Sequence, residues 1–408
     1  MENPYRSAPD DAYVPAPFTG RQPAFTRLYG YLNDVERTQA FVFVGRRQIG
    51  KSALLWQFDA VYGDSFVGVF AALETLPLRS ESGLLLALAH LIENALIQRE
   101  FTLSRVPEVP PTLENAAARN WFGGEFLPGV FRALRSNRRL ILLLDNAHLL
   151  IDALAAGTLA ADFGAYLAEL LQAYPQLGLV LTLDETRETD LPALQPLAGE
   201  VFRLTNLKLG ECAALFPAGM DAAAVTAYRA TGGQPALMQR FGYYLLQSGN
   251  AKAASAQVYQ ASVEEFRQTW LSLTRSERLA LTAISGLLYA DPLAKIDADS
   301  ISQWLIETDY PLDTTSINAA LRSLEYREIL THSASGNALA AGLMQRWLLE
   351  NARIETPPMP AARRRWWVIG TIVATLFAIL LLVIALSSAP GTNPASDAPA
   401  TVTLVGTP

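Results

Sequence analysis

One cysteine, Cys212, stands in 408 residues, so no internal disulfide braces the chain. Histidine is nearly as scarce, and the three scattered copies make no metal-ligand cluster with Cys212. A basic excess is also missing. With 32 Lys and Arg against 39 Asp and Glu the net charge is -7, which argues against nonspecific nucleic-acid binding, since that work needs clustered cations. Charged residues make up only 17% and hydrophobic ones 50%, enough apolar surface for real cores at a length that implies two or three folded units. The N-terminus lacks both a basic start and an apolar run, so residues 1–17 read as a flexible lead-in and not a signal peptide. A reducing, cytosolic setting is expected for the bulk of the chain.

The long apolar run lies at the other end. Residues 366–386 (WWVIGTIVATLFAILLLVIAL) form 21 positions without a charge. As a helix this spans roughly 30 Å, the thickness of a hydrocarbon core. Arg363, Arg364 and Arg365 precede it, Trp366 and Trp367 suit the headgroup interface, and no Lys or Arg follows. These flanks favour a single transmembrane helix over a buried core helix. The positive-inside rule then places residues 1–365 in the cytoplasm at the inner membrane and the tail outside. Residues 354–365 are the basic juxtamembrane linker. Residues 387–408, rich in Ala, Pro, Ser, Thr and Gly, are expected to be disordered.

Between these ends, short apolar runs alternate with helix-like stretches. Strands are expected at 40–44, 66–73, 140–144 and 177–183, and helices at 51–62, 82–98 and 121–136. That alternation implies an α/β domain over 18–203, a parallel sheet sandwiched by helices. Strands then give way to a small helical unit over 204–262, broken by Gly232, Gly233 and Pro235. Residues 263–353 carry three helix-like segments, then Ile329-Leu330-Thr331-His332 and a glycine-containing turn, the order of a winged-helix domain.

The strongest motif is Gly45-Arg46-Arg47-Gln48-Ile49-Gly50-Lys51-Ser52, a full match to G-x4-G-K-[ST] lying between a strand and a helix. Its glycines let the backbone turn tightly and aim N–H groups at phosphate oxygens. Lys51 reaches β- and γ-phosphates, Ser52 offers its hydroxyl to Mg²⁺, and Gln48 through Ala53 complete the cradle at a helix N-terminus. Downstream, the run 140–144 ends in Asp145, the strand-end carboxylate that holds Mg²⁺ in such proteins. The next residue is Asn146, where many hydrolytic P-loop enzymes carry an acid. An amide positions water but takes no proton, so slow turnover is expected. His148 is a substitute base on paper, although a helix-start histidine is more often structural.

Together with Pro17-Phe18-Thr19-Gly20-Arg21, Leu181 to Arg187, Gly233-Gln234-Pro235 and residues 342–351, this order of motifs resembles the STAND group of signalling P-loop ATPases, close to AAA+ and origin-recognition ATPases. The resemblance covers roughly residues 16–353. It implies that Phe18, Gly20 and Arg21 lie near the adenine, that Arg187 senses the γ-phosphate, and that Pro235 contacts the nucleotide from the helical lid. Each also has a plain reading: Phe18 as core, Arg187 as a solvated charge, Pro235 as a helix starter. Asn146 departs from the usual acidic pair.

Residues 263–353 hold 8 Lys and Arg against 12 Asp and Glu, so a DNA-reading winged helix is not expected there. The favoured function is a membrane-anchored switch that binds ATP or ADP with Mg²⁺, hydrolyses slowly, and acts through a protein partner, which a second copy of the chain would satisfy. An active remodelling or DNA-associated ATPase and a scaffold with structural nucleotide stay open. The topology is directly testable. A cysteine placed at Thr392 should react with an impermeant thiol reagent on intact cells and one at Ser104 should not; the reverse pattern overturns the orientation.

Overall fold

The apolar runs are strands, and each ends where polar chemistry begins. The computed structural model describes Tyr5 and residues 18–34, 36–134, 138–292, 294–333 and 336–352. Its main sheet contains β1 (Ala40–Gly45), β2 (Phe66–Ala72), β3 (Arg139–Asp145), β4 (Leu177–Asp184) and β5 (Ala198–Arg203). All neighbours pair parallel, in the order β2-β3-β4-β1-β5. β5 is a strand beyond those expected from the apolar runs. Ala198-Gly-Glu-Val-Phe-Arg203 lies at the sheet edge with only Ala198 fully buried, so it lacks the continuous apolar signature of a central strand.

The two-residue repeat of a strand divides β1 between two cores. Phe41 and Phe43 face one side with Ile141, Leu143 and Val180, covered by α1 (Gln22–Asn33), α2 (Lys51–Trp56) and α3 (Phe58–Tyr62). Val42 and Val44 face the other side with Leu142, Leu144 and Leu181. That side is covered by α4 (Glu81–Gln98), α5 (Asn115–Trp121), α6 (Leu127–Leu134), α7 (His148–Ala155) and α8 (Phe163–Ala173). Two expected helices differ in detail. The 51–62 helix divides at Gln57 into α2 and α3. The 121–136 helix starts earlier, as α5, and passes through a π turn at Phe122–Phe126 that leaves both phenylalanines fully buried.

Helices follow the sheet: α9 (Leu209–Ala213), α10 (Asp221–Thr231), α11 (Pro235–Ser248), α12 (Ala251–Leu271), α13 (Arg275–Ala290), α14 (Ala298–Glu307) and α15 (Thr314–Tyr326). The boundary drawn at 262/263 falls inside α12, which runs unbroken through it. Its sequence gives no glycine or proline at that point, so nothing interrupts the helical hydrogen bonds. A capping box between Thr274 and Glu277 starts α13. The antiparallel hairpin β6 (Leu330–Ser333) and β7 (Gly336–Leu339) leads into α16 (Gly342–Asn351), and Ile296 adds a bridge to Gly336. Three helices and a hairpin are thus in the expected order.

The described residues, up to Ala352, gather into one compact unit. Tyr5, inside the expected lead-in, is buried, and its hydroxyl donates to the Leu215 carbonyl at 2.6 Å. Among the described residues no helix is long and apolar enough to cross a membrane; the 366–386 run, its basic linker and the tail lie outside them. Phe43 is fully buried between β1 and its helical cover. Phe43→Ala should cost about 3–5 kcal/mol, read as a lowered urea midpoint.

Candidate functional site

Parallel strands deliver their C-terminal ends to one edge of a sheet, where ligands of such folds bind. Here Gly45 of β1 pairs in register with Asp184 of β4, and Ala72 of β2 pairs with Asp145 of β3. The edge therefore gathers the P-loop, two strand-end carboxylates and the turn that follows β2.

The loop from Gly45 to Gly50 is shaped from below and from its backbone. Ile49 is fully buried beneath it. A Cβ on Gly45 would meet the Ile49 side chain at 2.9 Å and the Leu204 carbonyl at 3.1 Å, so only glycine fits. Gly50 has φ +92°, a conformation side chains resist, and it delivers the chain into α2. Gln48 also has positive φ, at 66°. Lys51 Nζ donates to the Gly45 carbonyl at 2.6 Å and the Arg46 carbonyl at 2.9 Å, with Asp184 Oδ2 at 3.7 Å. Burial lowers the Lys51 pKa, opposed by Asp184, Asp145 and Glu185. A cation held over its own loop by carbonyls is available to a stronger anion.

Asp145 is 3% exposed, so both carboxylate oxygens need partners. Ser52 donates to Oδ2 at 2.5 Å, and the Thr182 hydroxyl from β4 donates to Oδ1. Thr182 also accepts from the Asn146 N–H at 3.0 Å, and its carbonyl accepts from the Ala147 N–H at 2.8 Å. The Ser52 hydroxyl and the Asp145 carboxylate fit Mg²⁺, which usually takes one or two carboxylates and fills its octahedron with phosphate and water. Asn146 has φ 61°, and its side-chain amide donates to Glu74 Oε2 at 2.9 Å.

The other expected contacts divide. Arg21, 7% exposed, donates to the Ile49 carbonyl at 2.6 Å and to the Thr205 carbonyl, so it braces the loop from behind. Gly20, φ +70°, precedes it, and Phe18 packs edge-on against Phe25 at 6.0 Å. Ala53 continues α2. Pro235 opens α11, directly after Gln234, which lines a small cavity with Arg46, Asn206, Glu328 and Ile329. Arg187 is not directed at the loop. It donates to Asp152 of α7 at 2.7 Å and Asp190 at 2.5 Å, bonds that raise its pKa, and sensing a phosphate would require it to leave both.

Several participants had no signal in the sequence. Glu74, Asn206 and Glu328 belong to no motif, and Thr182, although inside the 181–187 segment, had no role assigned there; all four become visible only through strand register and side-chain contact. Asp184 was legible as a strand end, but its pairing with Lys51 was not.

The sheet order, the loop and the Ser52–Asp145 pair together define the α/β P-loop NTPase fold. A Walker-type ATPase of Pyrococcus abyssi shares it, with TM-score 0.55 at 16% identity over 85% of this chain and 98% of that one. Cdc6p from Pyrobaculum aerophilum (16% identity, 84% and 98% covered, TM-score 0.39) and the RuvB Holliday junction branch migration motor of Thermotoga maritima (12%, 87% and 100%, 0.38) match too loosely to carry an argument. No family model and no curated protein matches the sequence.

Thr182→Val should leave a buried Asp145 oxygen unpartnered and lower unfolding free energy by about 1–3 kcal/mol. Thr182→Ser should restore most of it in the same denaturant titration; equal stability of all three proteins would show that the bond contributes nothing.

Proposed function

We propose that the chain is an ATP- and Mg²⁺-binding switch of the STAND type, attached to the cytoplasmic face of a membrane through residues 366–386. The observation that carries the switch is a hydrogen-bonded path from the phosphate loop to the C-terminal helices and hairpin. Arg46, inside the P-loop, donates to Asn206 Oδ1 at 2.8 Å. The Asn206 N–H in turn donates to Glu328 Oε2 at 2.6 Å, just before β6. Burial lowers the Arg46 pKa and raises that of Glu328, so each group depends on this path for its solvation.

In this reading the loop N–H groups and Lys51 hold the β- and γ-phosphates, while Ser52 and Asp145 hold Mg²⁺, which neutralises phosphate charge. Phe18, Gly20 and Arg21 support the adenine side, and Pro235 presents the start of α11. Loss of the γ-phosphate changes the loop's contacts and, through Arg46 and Asn206, the hold on Glu328. The winged-helix-type unit over 263–353 then reports nucleotide state to a protein partner, and its acidic balance disfavours DNA. Hydrolysis is slow, so each state persists, and Arg187 joins the γ-phosphate only on release from Asp152 and Asp190.

Lys51→Ala should weaken ATP binding more than tenfold, over ~1.4 kcal/mol, in a titration with labelled nucleotide. Unchanged affinity removes the nucleotide reading. Glu328→Gln should leave ATP affinity within about threefold, a coupling below 1 kcal/mol, but abolish the ATP-versus-ADP difference in hydrogen exchange over 326–332. A difference that survives this substitution rules out the Asn206–Glu328 path.

A further inference from the structure

The residue after Asp145 is an amide, yet the site does not lack a carboxylate in that place. β2 and β3 are adjacent, and Ala72 pairs with Asp145. Past Ala72 the chain makes a short turn, Leu73–Thr75, pinned by the fully buried Leu73 and closed by the Thr75 hydroxyl on the Ala72 carbonyl at 2.8 Å. That turn sets Glu74 beside Asn146 on the ligand edge of the sheet. The asparagine is itself fixed twice, by its N–H on Thr182 and by its amide on Glu74 Oε2 at 2.9 Å.

The remaining carboxylates at this edge are committed. Both Asp145 oxygens accept from hydroxyls, of Ser52 and Thr182. Asp184 lies 3.7 Å from the Lys51 ammonium. Glu185 is paired with Arg203 at 2.5 Å and Arg327 at 3.2 Å. Glu74 alone in this group has a neutral amide partner, is solvent-exposed, and keeps Oε1 without a hydrogen-bond partner among the described residues.

We infer that Glu74, oriented by Asn146, takes the proton of the attacking water, so that the base comes from the end of β2 and not from the position after Asp145. The inference rests on the ATP-binding reading above. In the step, a water O–H bond breaks and its proton passes to the Glu74 carboxylate. The water oxygen bonds to the γ-phosphorus, and the bond from that phosphorus to the β–γ bridging oxygen breaks, its electron pair leaving with ADP. Inorganic phosphate is the second product, and Glu74 returns the proton to solvent.

The test uses full-length wild type, Glu74→Gln and the exchanged pair Glu74→Asn with Asn146→Glu. Equilibrium binding of ATP with Mg²⁺ is measured first, and the nucleotide retained after incubation is then identified by chromatography. Wild type should retain ADP. Glu74→Gln should bind ATP within about threefold of wild type but retain it as ATP, with turnover at least 10²-fold lower, the usual scale of general-base loss. The exchanged pair, with the carboxylate moved across the same hydrogen bond, should recover turnover, and the carboxylate-range limb of the wild-type pH–rate profile should be absent in Glu74→Gln, which a purely structural role for Glu74 would not produce. Wild-type turnover in Glu74→Gln overturns the inference, as does a wild type that binds ATP and never converts it. If Glu74→Gln binds no ATP, the exchanged pair decides, and its inactivity counts against Glu74. Failure of wild type itself to bind ATP removes the nucleotide reading, an outcome visible in the binding arm alone.

Discussion

A carboxylate shut away from water at the end of a central strand constrains everything around it. Asp145 is buried at the end of β3, where an unpartnered charge would cost several kcal/mol. Its two oxygens are met by hydroxyls from different elements, Thr182 in β4 and Ser52 in α2. Those bonds require β3 and β4 to be neighbours and α2 to start directly above them, which fixes the path of the loop leaving β1. Arg21 on the far side and Ile49 underneath complete the enclosure. The loop's shape therefore follows from satisfying one acid as much as from its glycines.

Around the edge of this centre the charges are arranged in linked sets. Glu185, directly after β4, binds Arg203 of β5 and Arg327 just past α15. The Arg203 guanidinium stacks over the Tyr326 ring at 3.7 Å, and the Tyr326 hydroxyl donates to Glu188. These contacts bring the ends of β4 and β5 to the C-terminal end of α15. Most are partly exposed, so individually they contribute little, and their effect lies in geometry.

Much of the sheet was legible because a strand covered on both faces must be apolar at nearly every position, as in 40–44 and 140–144. The P-loop and Asp145 were legible because phosphate and Mg²⁺ chemistry restricts residue types at fixed spacing. β5 was not, since an edge strand with one neighbour needs no such run. Glu74 was hidden for a different reason: its role depends on which strand lies beside β3, and pairing order is not written in local sequence. That an amide takes no proton is legible from residue type alone, but the hydrogen bond from Asn146 to Glu74 required the fold. The 262/263 boundary falls inside α12, which has no helix-breaking residue there, so the helix carries the lid into the following unit without a break.

The continuity of α12 has a mechanical consequence. At 1.5 Å per residue its 21 residues make a rod of roughly 30 Å. Tyr259 near its middle meets α16 through Glu350, and Trp270 at its far end packs on Trp347. Just past its middle, Arg240 of α11 is tied to Ser262 and Glu265. Such a rod does not bend at a junction it does not possess. Along that one unbroken helix the contacts of α11 and α16 are joined, so these three helices form a single stiff element in which the 262/263 position is no hinge.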